Sequence, residues 1–471
     1  MRLFCKYMRH KTNKQNKNRK TRIPQSQFVA QLLDRLTMGY LVLMLSVYAL
    51  FPGLNGYQSI TEWKWYLFCL LTGGYLAIVL LLIIEFALVG SIQSFSLKEL
   101  WKNTSLPEKL LLAYWFASGL SVLFSVDRGV AFWGGMRREG FITISLCCGS
   151  CIILSHLCRP EQWMLYLFGV VMCLNCVLCA FQIAGYNPLF LYPVGMNYYD
   201  AYRKYAGEFL GTFGNVDILS AVLCLAVPAF AVAVIKAKGI SKWFFLLFAV
   251  VSFSILCAAH VSGGAVGVLV CTLISVPVLI KNSITRRRAL VIAAIICIVG
   301  IIFIYLYGGF FGGTIWELSE LLHGHWDDSF GTGRLYIWRN ILPLIPKRIL
   351  FGGGPDTLSL RLDAAFERWD NSLGLIRSSI DTAHNEYLGI LVDQGLIALL
   401  FYLGMLFILV VKWFRHAANN NVIAICGCAI LAYCIQAFFG IRSPISTPYF
   451  YLALALFIKE DKGICERHEY D

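Results

Sequence analysis

From residue 34 onward the chain is mostly a succession of apolar runs, each near the roughly 20 residues that a helix needs to cross a bilayer. That property leaves few folds open. In a bilayer core every backbone N–H and C=O must be satisfied within the protein, which admits helical bundles and closed barrels. Continuous apolar runs of this length are helical. They fall near 34–52, 65–90, 108–125, 141–158, 163–184, 212–235, 243–259, 262–280, 288–307, 384–411, 421–440 and 447–458. The expected fold is all-α, a polytopic membrane helical bundle of about 12 transmembrane helices. Charged residues make up only 14% of the chain, against about 25% in soluble domains.

A net charge of +13 raises the question of nucleic acid, and its distribution answers it. With the N-terminus inside, 26 of the 40 Lys and Arg fall on the inner side, ten of them before residue 36. This is the positive-inside bias of membrane proteins, and no nucleic-acid partner is expected. The segment from Lys11 to Lys20 reads as a disordered stretch on anionic lipid. No cleavable signal peptide is apparent, because a polar basic tail precedes the first span. The 17 cysteines lie in spans or inner segments, where they act as small core residues, so no disulfide framework is expected.

The chain stops being membrane-like near residue 308 and resumes at His384. A loop of this length is normally functional or disordered, and its ending on His-Asn at a helix mouth favours function. Five segments follow: a basic cytoplasmic tail (1–33), spans one to nine (34–307), a large extracytoplasmic loop (308–383), spans ten to twelve (384–458) and a second cytoplasmic tail (459–471). Inside the loop, Arg334 to Ile345 reads as a helix with Leu335, Trp338 and Leu342 on one face, stopped by Pro343 and Pro346. Gly352 to Pro355 reads as a turn, and Leu358 to Trp369 as an amphipathic segment lying along the membrane surface.

Four constellations carry chemistry. Thr382-Ala-His384-Asn385-Glu-Tyr-Leu388 places His384 in the first turn of span ten, capped by Asp381 or Thr382. The helix's positive end and partial desolvation keep that imidazole neutral and competent as a general base. Gly331-Thr-Gly-Arg334 sets a guanidinium at a helix start, with Arg339 beyond it, a pattern suited to bidentate phosphate binding. Trp133-Gly-Gly-Met-Arg137-Arg138 puts two cations on the outer side, against the topological bias. Gly211-Thr-Phe-Gly-Asn215-Val-Asp217 carries polar residues into span six. His323, His325, Asp327 and Asp328 are too loosely spaced for a metal site, so neither metal nor cofactor is expected.

In this order the segments resemble the O-antigen ligase/polymerase superfamily of bacterial envelope glycosyltransferases. The resemblance spans most of 115–440 and is most specific from Gly333-Arg-Leu-Tyr-Ile-Trp338 through Ile349-Leu-Phe-Gly-Gly-Gly-Pro355 to His384-Asn-Glu-Tyr-Leu388 and Gly395. It implies a twelve-span protein that moves a glycan from an undecaprenyl-pyrophosphate carrier to a glycan, lipid or protein acceptor without a nucleotide sugar. It matches His384 to the catalytic histidine, Arg334 to the loop arginine that binds the donor pyrophosphate, and Arg137 or Arg138 to a basic position in an earlier outer loop. The residues assigned to substrate binding are Arg137, Arg138, Arg339, Asn215 and Asn385. Two departures stand out. Val216 and Asp217 replace the common Pro-Asn, and Ser262-Gly263-Gly264 stands where the family usually has Ser-Arg-Gly.

The resulting expectation is an O-antigen ligase-like glycosyltransferase of the cytoplasmic membrane, its active site on the extracytoplasmic side. A chain polymerase of the same superfamily is the near alternative. A lipid-linked glycan transporter is the alternative from another class, disfavoured because polar residues gather at one face rather than at mid-membrane. A non-catalytic assembly scaffold is the third.

Overall fold

The computed structural model describes residues 25–88, 101–199, 207–362, 364–370 and 374–468. The basic segment from Lys11 to Lys20 lies outside them. Helices stand at all twelve places where apolar runs occur. They are α1 (Gln25–Leu43), the joined pair α2 (Ile60–Phe68) and α3 (Gly74–Leu88), α4 (Leu106–Leu123), α6 (Phe141–Leu157), α7 (Gln162–Ile183), α8 (Val216–Lys236), α9 (Ile240–Ala258), α10 (Ser262–Val278), α11 (Ser283–Tyr307), α14 (Glu386–His416), α15 (Asn421–Gln436) and α16 (Thr447–His468). Three shorter helices lie between them: α5 (Arg128–Trp133), α12 (Thr314–Leu322) and α13 (Phe330–Ile341). Among the described residues, seven helical runs are long and apolar enough to cross a membrane, and three more are apolar but shorter. The molecule is a multi-pass helical membrane protein.

Helix α8 forms the centre. Nearly all of its residues from Ile218 to Ala233 are buried, and it packs on α9, α10 and α15. Helix α11 is its opposite: it has no buried residue and packs on α10 and α12. An apolar helix with every face open is a lipid-facing helix, because hydrocarbon solvates Ile and Val as well as a protein core does.

Charges inside the bundle have specific duties. Span one ends at Tyr48 and Ala49, whose carbonyls have no further turn to bond. Buried Lys64 donates to both, at 3.0 and 3.2 Å, and Thr212 Oγ1 also donates to Ala49 O at 2.8 Å. At the other end of the bundle, Glu108 opens α4 in a capping box with Ser105. Its carboxylate also meets Lys462, His156 Nε2 at 3.1 Å and Ser155 Oγ at 2.6 Å.

Two helices also run past the expected span limits. Helix α16 runs to His468, through most of the expected tail from 459, because Lys462 is buried against Glu108 rather than solvated. Helix α1 likewise begins at Gln25, inside the expected tail of 1–33.

The segment 308–383 shares a small core with the start of α14, made of Ile337, Ile341, Leu358, Ile380, Ala383 and Val392. The expected amphipathic stretch from Leu358 to Trp369 is a correction. It is one 3-10 turn (Leu358–Leu360) followed by strand β3 (Ala365–Asp370). That strand pairs antiparallel with β4 (Gly374–Ser379), Ala365 facing Ser379. In that register Trp369 stands opposite Leu375 and Arg368 opposite Ile376. The side chains of Arg368 and Arg377 lie outside the described residues. A second two-residue ladder, β1 (Phe209–Leu210) with β2 (Gly214–Asn215), folds the Gly-Thr-Phe-Gly-Asn segment back on itself before α8.

Candidate active site

Two glycine-bearing segments lock the 308–383 segment onto the bundle. Helix α14 is interrupted at Gly395, where φ is +86°, and the stretch from Ile349 to Gly354 docks in the break. Leu396 N donates to Ile349 O at 2.8 Å, Gly353 N to Val392 O at 3.1 Å and Gly354 N to Asp393 O at 2.7 Å. A Cβ on Gly395 would stand 2.2 Å from Leu350 O, and one on Gly352 2.3 Å from Asp393 O. Neither position tolerates a side chain at that approach. The same turn reaches the outer end of α4 through Val126 N to Gly353 O at 3.1 Å and Ser125 Oγ to Gly353 O at 2.9 Å. Asp356 adds bonds from Gly135 N at 2.6 Å and Glu139 N at 3.2 Å, which secure the loop that bears Arg137.

Helix α13 is tied to the entrance of α14 by Trp338, whose Nε1 donates to Ala383 O at 2.9 Å. Arg334 stands one turn before Trp338 on the same face. It is preceded by three residues in left-handed conformation, Gly331, Thr332 and Gly333, so the regular helix begins at Arg334. The guanidinium is mostly buried. Its Nη1 donates to Gly331 O at 2.8 Å and Thr332 Oγ1 at 2.9 Å, and Nη2 stands 3.7 Å from Asp217 Oδ1. Its Nε is buried with no hydrogen-bond partner among the described residues. A buried donor in that condition costs stability unless something else fills it.

His384 lies outside the helix rather than in its first turn, which corrects the sequence expectation. Its φ is +45°, a left-handed conformation that a β-substituted residue adopts under strain. The cap of α14 is Asn385, not Asp381 or Thr382: its side chain accepts from Leu388 N at 3.0 Å. Burial pulls the imidazole down to about 4. Asp217 opposes that shift, Arg334 and Arg137 reinforce it, and Asp381 opposes it. The imidazole is therefore neutral at neutral pH, and the charges that act on it belong to one small group.

Arg137 belongs to that group. It holds Asp381 in a two-point ion pair, Nε to Oδ2 at 2.8 Å and Nη2 to Oδ1 at 3.1 Å. A small polar cavity beside it is lined by Glu139, Asp356, Asn385, Glu386 and Arg442, among others. Burial pushes the Asp356 carboxyl up to about 6 and that of Glu139 up to about 8. Near neutrality the Glu139 carboxyl is therefore mostly uncharged. Arg442 donates to Tyr114 Oη at 2.9 Å and to the Gln394 amide oxygen at 2.8 Å, while Gln394 donates to Ser118 Oγ at 2.7 Å. Tyr402 and Tyr433 donate to Glu386 at 2.6 and 3.2 Å.

The sequence-predicted residues thus divide. His384, Arg334 and Arg137 share one electrostatic neighbourhood. Arg138 turns away to Glu62 at 3.0 Å, with its guanidinium over the Trp65 ring. Arg339 is exposed and pairs with Asp328 at 2.6 Å. Asn215 and Asn385 are helix caps, Asn215 accepting from Asp217 N at 2.8 Å. Asp217, Asp381, Glu139 and Arg442 are the residues that sequence reasoning passed over as partners. Asp217 and Asp381 were weighed only as turn or capping residues. Arg442 carried a usable signal: it is a lone cation between two apolar runs on the side that disfavours cations. The absent family cation also has a physical reason. A Cβ on Gly263 would stand 2.9 Å from Phe439 Cβ, and one on Gly264 2.1 Å from Ser220 Oγ, so close helix packing occupies the space. Among the described residues no group of three His, Cys, Asp or Glu has metal-binding geometry.

No curated protein matches the chain. Residues 245–403 match the family model described as O-antigen ligase, a stretch that runs from α9 through the outer segment and His384 to the middle of α14. Over that stretch the chain is similar to the O-antigen ligase family.

Proposed function

We propose that this protein transfers a glycan from an undecaprenyl-pyrophosphate carrier to an acceptor hydroxyl at the outer face of the cytoplasmic membrane. The reading takes twelve crossings with the N-terminus inside, which would put 308–383 and His384 on that face. The observation that carries the reading is the state of Arg334: a mostly buried guanidinium with one unfilled donor and one distant carboxylate, in the electrostatic reach of a neutral imidazole. A pyrophosphate supplies the acceptors that Arg334 lacks and displaces a 3.7 Å contact at little cost.

In the reaction, the neutral imidazole of His384 takes the proton of the acceptor hydroxyl while the hydroxyl oxygen bonds to the anomeric carbon. The bond from that carbon to the lipid pyrophosphate breaks with its electron pair on the leaving oxygen, and the configuration inverts. Negative charge grows on the pyrophosphate as the bond lengthens, so contacts from Arg334 and Arg137 strengthen in the transition state and lower the barrier. The donor's charge also opposes the two guanidiniums that depress the imidazole, which raises its basicity when the donor is bound. His384 then releases its proton to outer water. The leaving group is already good, and the step needs no metal.

The test is a reconstituted assay of the purified protein with an undecaprenyl-pyrophosphate-linked oligosaccharide and acceptor, with products read by mass spectrometry. Expected are glycosylated acceptor and free lipid pyrophosphate in equal amounts, both lost in His384→Ala. Wild-type transfer by His384→Ala and Arg334→Ala together would overturn the assignment. Glycans of a deletion strain separate the two branches: full-length chains left on carrier lipid mark a ligase, and accumulated single repeat units mark a polymerase.

A further inference from the structure

The bundle holds a second cavity, far larger than the polar one beside Arg137 and at the opposite end. Its volume is about 480 Å³, within the range of small-molecule and cofactor sites. Its walls are apolar, from Leu225, Ala229, Ala233, Phe168, Phe245 and Ile425. The alanines recur every four residues along α8, so one face of the central helix carries no bulk there. The mouth is polar and basic. Lys236, Lys238, Gln162, Ser241 and Asn421 line it, with Glu161 as the one acid.

Three helices begin at this mouth: α7 at Gln162, α9 at Ile240 and α15 at Asn421. Their positive ends add to the two lysines. Neither Glu161 nor Gly239, the caps of α7 and α9, uses a side chain to bond the first turn. Lys236 Nζ donates to Ala418 O at 3.4 Å, one of the three donors an ammonium offers. Apolar depth beneath a cationic rim matches one kind of molecule available to a membrane protein at this level.

We propose that this cavity binds an anionic phospholipid of the inner leaflet, one acyl chain lying along the alanine face of α8 and the phosphate between Lys236 and Lys238. Only the word "inner" rests on the sidedness proposed above. The cavity, its alanine face and its cationic rim do not. The site is separate from the one assigned to the glycan donor, since its residues lie at the opposite ends of the same helices.

The test is native mass spectrometry of the full-length protein released from detergent micelles, titrated with phosphatidylglycerol or with phosphatidylcholine of the same chains. One phosphatidylglycerol is expected to stay bound where phosphatidylcholine does not. Lys236→Gln and Lys238→Gln should each weaken it about fivefold, the scale of one basic residue near an anionic lipid surface. Ala229→Phe fills the cavity and should weaken binding with both charges intact. Equal retention of the two lipids, or wild-type affinity in Ala229→Phe and the double lysine variant, would overturn the proposal. So would displacement of the lipid by inorganic phosphate at equal concentration, which marks a free-anion site. Glycan transfer in the reconstituted assay reports whether each variant is folded, and it tests the outer site independently.

Discussion

Each end of the bundle holds a histidine, an acid and a cation, and the two triads are built differently. At the end proposed as inner, Glu108, His156 and Lys462 close on one another: His156 Nε2 is 3.1 Å from Glu108 and 3.3 Å from Lys462 Nζ, and Ser155 bonds the same carboxylate at 2.6 Å. At the end proposed as outer, Arg334 stands 3.7 Å from Asp217, keeps a buried Nε without a partner among the described residues, and acts electrostatically on a histidine in left-handed backbone. A triad that satisfies its own donors stabilises a fold. A triad that holds charge, strain and an open donor in place is prepared for something not yet bound.

The largest expected effect is at the outer triad. His384→Ala should lower transfer by about 10²- to 10⁴-fold, the usual worth of a general base, while the protein still inserts and elutes as the wild type does. Wild-type turnover in that variant would erase the distinction between the two ends.

The mirror experiment is Glu108→Ala. Its carboxylate is fully buried, and removal breaks the buried ion pair it makes with Lys462, a loss of about 3–5 kcal/mol. Thermal unfolding in detergent should move down sharply, with transfer per folded molecule unchanged. A fall in turnover at constant stability would show that the inner triad also takes part in catalysis.

Arg334→Ala should cost about 3 kcal/mol of transition-state stabilisation, or about 10²-fold in turnover, with little change in unfolding temperature, because the guanidinium is incompletely paired to begin with.

The pH profile sharpens the contrast further. A base whose pKa burial has lowered to about 4 stays neutral as acid is added until that value is approached. The acid limb of kcat/KM should therefore lie near 4, not near the ordinary histidine value. Arg334 is one of the groups that depress the imidazole and Asp217 one that opposes the depression. Arg334→Gln should move the limb to higher pH and Asp217→Asn to lower pH. A limb unmoved by both would separate His384 from its neighbours.

The smallest effect is Asn385→Ala. Its side chain caps α14, and losing a cap costs about 1 kcal/mol. A modest drop in unfolding temperature with turnover within a few-fold would mark it as a structural residue. A collapse of turnover would return it to the substrate.

Much of this was legible in the chain. Hydropathy placed a helix at every apolar run, and the end of α11 at Tyr307 falls where the polar stretch begins. Gly331-Thr-Gly did stand before a helix starting at Arg334, and the Gly352 to Pro355 turn is a turn. The hairpin at 365–379 was missed because spacing read over one segment resembles a helix face until its pairing partner is known. Arg138 and Arg339 were grouped with Arg137 and Arg334 because sequence proximity does not reveal which way each side chain turns.

Composition and periodicity alone determined that this is a helical membrane protein, which end of it is charged, and which few residues are candidates for chemistry, since hydropathy and helix signals are local. Only the tertiary structure decided that Asp217 answers Arg334, that Arg442 and Lys462 are buried partners, that Gly263 leaves no space for a cation, and that a lysine-rimmed cavity opens beside α8. Those facts depend on how helices distant in the chain rotate and pack against one another, and a side chain's partner is fixed by that packing rather than by its neighbours in sequence.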